Sequence, residues 1–245
     1  MCFFSITNYL LFLENMILCI RPNINFLRSN LKGGISMNIQ ANGPFMVEFL
    51  GTPEAGRTSA IKKARKELSK IANVKVLQEA AAIIPDVFET PEYKKSMEAH
   101  FWMRLTMAAK LLEQQCTCNP KDILLVDRGI VDAFCWNYYF AETGRIPNDV
   151  ALHYCLLAKR LIDLPHLVIY LKTSPEEAVR RHGGEGEIVT SEFVRSFERS
   201  ITSFLRFPPA PVFTLDTTGL SKDEIASIVC EEIISAYNAH ALKFT

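Results

Sequence analysis

Phe45-Met46-Val47-Glu48-Phe49-Leu50-Gly51-Thr52-Pro53-Glu54-Ala55-Gly56-Arg57-Thr58 is the stretch that decides the fold. Phe45–Leu50 reads as a strand ending at Gly51. Arg57–Ala72 reads as the helix that follows, with Ile61, Ala64, Leu68 and Ile71 on one face and lysines on the others. Between them, Gly51–Thr58 fits G-x-x-x-x-G-K-[ST] except that Arg57 stands where lysine is expected. The spacing has a physical basis. A glycine-flanked turn lets successive backbone N–H groups face a phosphate, and the helix N-terminus adds partial positive charge. Gly51, Thr52, Pro53, Glu54, Ala55, Gly56, Arg57, Thr58 and Ser59 are therefore the candidate phosphate-binding residues, with the Thr58 hydroxyl placed to hold Mg²⁺. Arginine keeps the charge of lysine, but its planar, bidentate head follows a moving phosphoryl group less well. Glu54 would repel phosphate unless its carboxylate points outward, so it is expected as a solvated tip residue.

Outward from the loop, short apolar runs alternate with helical ones. Val74–Gln78 is a second strand, and Pro91–Gln115 a long helical stretch with Met97, Phe101, Leu105, Ala108 and Leu112 repeating at three or four residues. Ile123–Val126 suits a strand buried on both faces. Helices at Val131–Glu142 and Asp149–Ile162 follow, separated by the turn Gly144–Pro147. Leu167–Leu171 and Val212–Leu215 are the remaining strands. Ser174-Pro175-Glu176-Glu177 and Ser221-Lys222-Asp223-Glu224 are capping boxes that open helices. Such alternation implies parallel strands joined by right-handed crossovers, with ligands bound beyond the carboxyl ends of the strands. Residues just past those ends are Gly51–Thr58, Glu79, Asp127-Arg128 and Thr173.

Asp127, at the end of an apolar run, is the candidate second metal-side carboxylate; Asp216 closes a similar run and rivals it. Arg128 favours Asp127, because a cation beside that carboxylate can bind an acceptor or a phosphate. Glu79 could accept the proton from an attacking hydroxyl. Arg180-Arg181-His182 followed by Gly183-Gly184 suits a lid that closes over a triphosphate and stabilises developing charge. Arg104 falls on the long helix, where arginine is usually solvated.

The chain has 245 residues, 49% apolar and 22% charged, enough for one sizeable α/β domain and not the composition of a disordered chain. Lys+Arg and Asp+Glu both number 27, so no nucleic-acid groove is supported. Seven scattered cysteines fit reduced thiols in a cytoplasm, with Cys116 and Cys118 free near a helix end. Phe3–Ile20 is broken by Asn8, Glu14 and Asn15, which makes a poor membrane span, and no basic residue precedes it as in a secretory signal. Residues 1–36 are expected to be an extension outside the fold, with the true start at Met37, because Lys32-Gly33-Gly34 can be encoded as a bacterial ribosome-binding site just upstream. N-terminal sequencing of the native protein decides this.

Phe45–Thr58, Glu79, Asp127-Arg128 and Arg180-Arg181 together resemble the P-loop nucleoside and nucleotide kinases, nearest the deoxynucleoside kinase and thymidylate kinase branch. The resemblance spans about residues 44–240 in element order, though some twenty residues carry it. It implies a three-layer α/β fold, a five-stranded parallel sheet flanked by helices with a short lid, in a domain covering residues 37–245. It also implies ATP and Mg²⁺, a small-molecule acceptor such as a nucleoside or nucleotide, no membrane partner, and allows a homodimer. Catalytic roles carry over to Glu79, Arg57, Arg128 and Arg181, donor binding to the loop with Arg180 and Arg181, and metal binding to Thr58 and Asp127. Arg57, the adjacent lid arginines without a further spaced one, and Ala80 where many members have proline depart from the pattern. No N-K-x-D element of the GTPase branch is present. A non-catalytic nucleotide-binding protein and an ATPase without acceptor are the competing readings, and Arg57 is the best argument for the former.

Overall fold

The computed structural model describes residues 43–90, 96–186 and 189–241. The expected Met37 start and the extension 1–36 lie outside these residues, as does Pro91, the expected beginning of the long helical stretch. The described elements run β1 (Phe45–Gly51), α1 (Arg57–Leu68), β2 (Val74–Leu77), two short 3-10 turns (Ala80–Ile83 and Asp86–Glu89), α2 (Met97–Thr117), β3 (Ile123–Asp127), α3 (Ile130–Glu142), α4 (Asn148–Leu161), β4 (Leu167–Lys172), α5 (Pro175–His182), α6 (Ser191–Phe204), β5 (Val212–Asp216) and α7 (Lys222–Ala241).

The five strands pair in the order β2-β3-β1-β4-β5, every pairing parallel. β1 is central and buried along its whole length, so its side chains must be shared between two cores. Phe45, Val47 and Phe49 pack with Ile123 and Leu125 against α1 and α7, through Ala60, Ile61, Ala64, Leu68, Ile225, Val229 and Ile233. Met46 and Leu50 pack with Leu124 and Val126 against α2, α3 and α6, through Met107, Leu111, Val131, Phe134, Phe197 and Ile201. A strand buried on both faces cannot alternate polar with apolar, which is why β1 and β3 read as continuous apolar runs. Glu48 is the exception, and it is buried on the α3 side.

Two expected helix faces need correction. α1 stops at Leu68, and Ile71 is 53% exposed in the turn beyond it. In α2 the buried side chains are Ala99, Arg104, Met107, Leu111 and Gln115, whereas Leu105 is 56% exposed. The apolar repeat falls beside the inward stripe, because that stripe holds an arginine and a glutamine. No helix among the described residues is long and apolar enough to cross a membrane.

Candidate active site

The loop Gly51–Thr58 owes its path to Gly51 and Gly56, where close approach and positive φ respectively favour glycine. A Cβ at Gly51 would lie 2.1 Å from the Leu171 carbonyl oxygen, so only glycine lets β1 run this close to β4. Thr52 is buried; its N–H donates to the Leu171 carbonyl at 3.2 Å, and its hydroxyl accepts from Thr173 N–H at 3.2 Å. Thr173, past the end of β4, thus fastens the loop. Gly56 opens α1 at φ 91°, a left-handed conformation natural to glycine. Glu54 is also left-handed, at φ 58°, which costs a non-glycine residue about 1 kcal/mol. Arg181 Nη1 donates to the Glu54 carbonyl at 3.1 Å, and His182 Nδ1 lies 3.5 Å from its carboxylate. The Glu54 side chain, 40% exposed, thus faces His182 of α5 as well as solvent.

At the end of β3 the charged residues form an alternating row. Arg57 donates to Asp127, and its Nη2 is 3.9 Å from Glu79 Oε2. Arg128 Nε lies 2.9 Å from the same Glu79 oxygen, and its Nη1 donates to Asp132 at 3.1 Å. The loop arginine thus turns to the strand-end carboxylate. That contact distinguishes Asp127 from its rival Asp216, which lies exposed at the end of β5, 4.0 Å from Lys172. Burial pushes the Asp127 carboxyl above its ordinary value, with Arg57 opposing. Burial also lowers the Arg57 guanidinium, assisted by Arg128.

Behind this row stands Glu48. Its carboxylate accepts from Val131 N–H at 3.1 Å and from Asp132 N–H at 2.7 Å, capping α3 from β1. Burial raises its carboxyl to about 8, against the two N–H donors, which favour the charged form. A Cβ at Gly129 would meet the Glu48 carboxylate at 2.7 Å, so the glycine after Arg128 makes room for it. Arg128 itself is left-handed, at φ 58°, and donates its N–H to Phe49 at 3.0 Å. The signal in the sequence was a lone carboxylate inside an apolar strand.

Two clefts flank the row. The first, about 590 Å³, is lined by the loop residues Glu54–Ser59, by Arg180 and Arg181, and by Ser221 and Lys222. Arg181 is held in place: it pairs with Glu177 at 2.7 Å and donates to the Thr217 carbonyl at 2.6 Å, tying the loop to the turn before α7. Arg180 is paired with Glu177 but its side chain is 72% exposed. Gly183 and Gly184, both at positive φ, end α5 in a left-handed cap.

The second cleft, about 560 Å³, is walled by Phe88, Trp136 and Met103 and floored by Arg128 and Asp132. Arg104 lines it too, and the sequence reading missed this: the side chain is 6% exposed, not solvated. Its guanidinium sits 5.0 Å from the Phe140 ring centre and 5.4 Å from that of Phe101, and Nη1 and Nη2 are buried without a hydrogen-bond partner. Burial, with Arg104 and Arg145 nearby, lowers the neighbouring His100 to about 4, so it is neutral at pH 7. Glu79 belongs to the walls of both clefts.

For Mg²⁺, the Thr58 hydroxyl and the Asp127 carboxylate are hard oxygen donors of the right kind. Asp127, however, already holds a guanidinium. A divalent ion and a guanidinium about 4 Å apart repel by about 8 kcal/mol at an effective dielectric near 20, so the two compete for this carboxylate. Cys116 and Cys118 are free thiols, and no cluster of three or more His, Cys, Asp or Glu suited to a metal occurs among the described residues.

No protein-family model matches the chain, and no curated protein sequence matches it. Among solved structures it is similar to deoxyadenosine kinase from M. mycoides with the products dCMP and a flexible dCDP bound: 17% identical, covering 78% of this chain and 98% of that one, TM-score 0.59. The same enzyme with bound dATP is 14% identical, covering 77% and 98%, TM-score 0.59. Thymidylate kinase from Candida albicans is 15% identical, covering 80% and 95%, TM-score 0.56. Likeness at such identities speaks for architecture: the chain has a deoxynucleoside kinase and thymidylate kinase-like P-loop fold.

Proposed function

We propose that the chain binds a nucleoside triphosphate, ATP being our choice, through Gly51–Ser59 and transfers its γ-phosphoryl group to a small acceptor, a nucleoside or nucleotide, in the second cleft. The observation that carries this reading is the single carboxylate, Glu79, shared by two clefts of about 590 and 560 Å³. Both volumes suit a small-molecule ligand. The loop N–H groups and the α1 N-terminus take the phosphates, and Arg180 and Arg181 add positive charge from the opposite wall. Glu79, oriented by Arg128, accepts the acceptor hydroxyl proton as that oxygen bonds to the γ-phosphorus and the bond to the leaving diphosphate breaks. A proton-accepting carboxylate at this point favours a hydroxyl acceptor, such as a nucleoside. Thr58 and Asp127 are the residues that would hold Mg²⁺, whose contribution is to neutralise charge on the phosphate oxygens.

The second reading, a non-catalytic nucleotide-binding protein, is favoured by one observation, the pairing of Arg57 with Asp127. Incubation with ATP, Mg²⁺ and a panel of nucleosides and nucleoside monophosphates, read by mass spectrometry, separates the two. A phosphorylated acceptor is the expected product. ATP binding without product from any acceptor favours the second reading, and absence of ATP binding removes both.

A further inference from the structure

We propose that the Arg57 guanidinium is a built-in counter-cation for Asp127, and that this site takes the phosphates of a nucleoside diphosphate or triphosphate without a divalent ion. The inference rests on the nucleotide reading above and deepens it. In sites of this design a carboxylate at the strand end facing the phosphates would repel them, and a cation must lie between. Here the chain supplies that cation itself. Arg57 is the first residue of α1, its side chain is only 12% exposed, and it reaches Asp127 from within the loop.

The surrounding row is built in the same way, three carboxylates against two guanidinia. Glu79, Asp127 and Asp132 alternate with Arg57 and Arg128, each carboxylate touching or facing a guanidinium. Arg57 also lines the loop-side cleft. A guanidinium has five N–H donors in a fixed plane, so one edge can stay on the carboxylate while another faces a phosphate oxygen. A lysine ammonium at this position is a point charge without that two-sided reach. Four cations, Arg57, Arg180, Arg181 and Lys222, line this cleft against three carboxylates, Glu54, Glu79 and Glu177, a formal excess of one positive charge before any metal arrives.

The test is calorimetric titration of the full chain with ADP, with Mg²⁺ and with EDTA, so that no turnover intervenes. The expected result is a Kd that differs by less than about threefold between the two conditions. A loss of more than about tenfold in EDTA overturns the inference and leaves the nucleotide reading intact. Absence of ADP binding in both conditions overturns the inference, and absence of ATP binding in a parallel titration with Mg²⁺ overturns the nucleotide reading as well. The native comparison stands without any variant. Arg57→Met, neutral and of similar reach, extends it: its ADP affinity in EDTA is expected to fall about tenfold and to recover in part with Mg²⁺. Unchanged affinity of a folded Arg57→Met in EDTA overturns the proposal.

Discussion

Arg57, the first residue of α1, turns its guanidinium to Asp127 at the end of β3. Asp127 is 70 positions away and becomes a neighbour only because β3 pairs beside β1. Substitution separates the parts of its role. Arg57→Lys is expected to retain or raise phosphoryl transfer, since a lysine ammonium follows the moving group, while Arg57→Ala is expected to lose about tenfold or more in triphosphate affinity. Steady-state kinetics and equilibrium titration read these separately; normal ATP binding by Arg57→Ala would contradict the loop reading. Glu48 makes a second prediction at this scale. Its folded-state carboxyl lies near 8, above the ordinary 4.5, so the folded chain holds a proton that the unfolded chain has released. Stability is therefore fullest below the ordinary value and falls as pH rises through the window up to about 8, by a few kcal/mol. Glu48→Gln should flatten this slope in urea unfolding at pH values across the window; an identical slope would show that another group titrates.

Among the elements, strands were more legible than helix faces. The apolar runs of β1, β3 and β4 are dictated by burial on both sides, and their bounds fall within a residue or two of expectation. Helix α2 hid its inward stripe because that stripe carries Arg104 and Gln115, and periodicity counts apolar residues only. An arginine and a glutamine in register with Met107 and Leu111 were the available signal. Arg180 and Arg181, expected together on a lid, are unequal in place. Arg181 is fixed to the Glu54 and Thr217 carbonyls, whereas Arg180 faces water beside Glu177. Arg181→Ala should therefore weaken nucleotide binding by about tenfold, as the loop loses its brace, and Arg180→Ala by less than about threefold. Equal losses would assign the two arginines the same role.

For the whole molecule, strand order explains why one site was readable from scattered residues. Order β2-β3-β1-β4-β5 brings the ends of β2, β3 and β1 side by side, so Glu79 and Asp127, distant in sequence, both come within reach of Arg57 in the loop after β1. What the alternation of elements could not give is the interior of the second cleft, where Arg104, Trp136 and Phe88 converge from two helices and a 3-10 turn. Nucleotide at 100 times its Kd should add about 2.7 kcal/mol of stability, or several degrees in melting temperature. Thermal melts with and without ADP measure this, and no shift at that excess would argue against a site in the folded chain. The two clefts have one lining residue in common, Glu79. A single tethered ligand, with a nucleoside joined by a chain of phosphates to a second nucleoside, could occupy both at once. Its second half would bind at an effective concentration set by the tether, so it should outcompete either half alone by orders of magnitude.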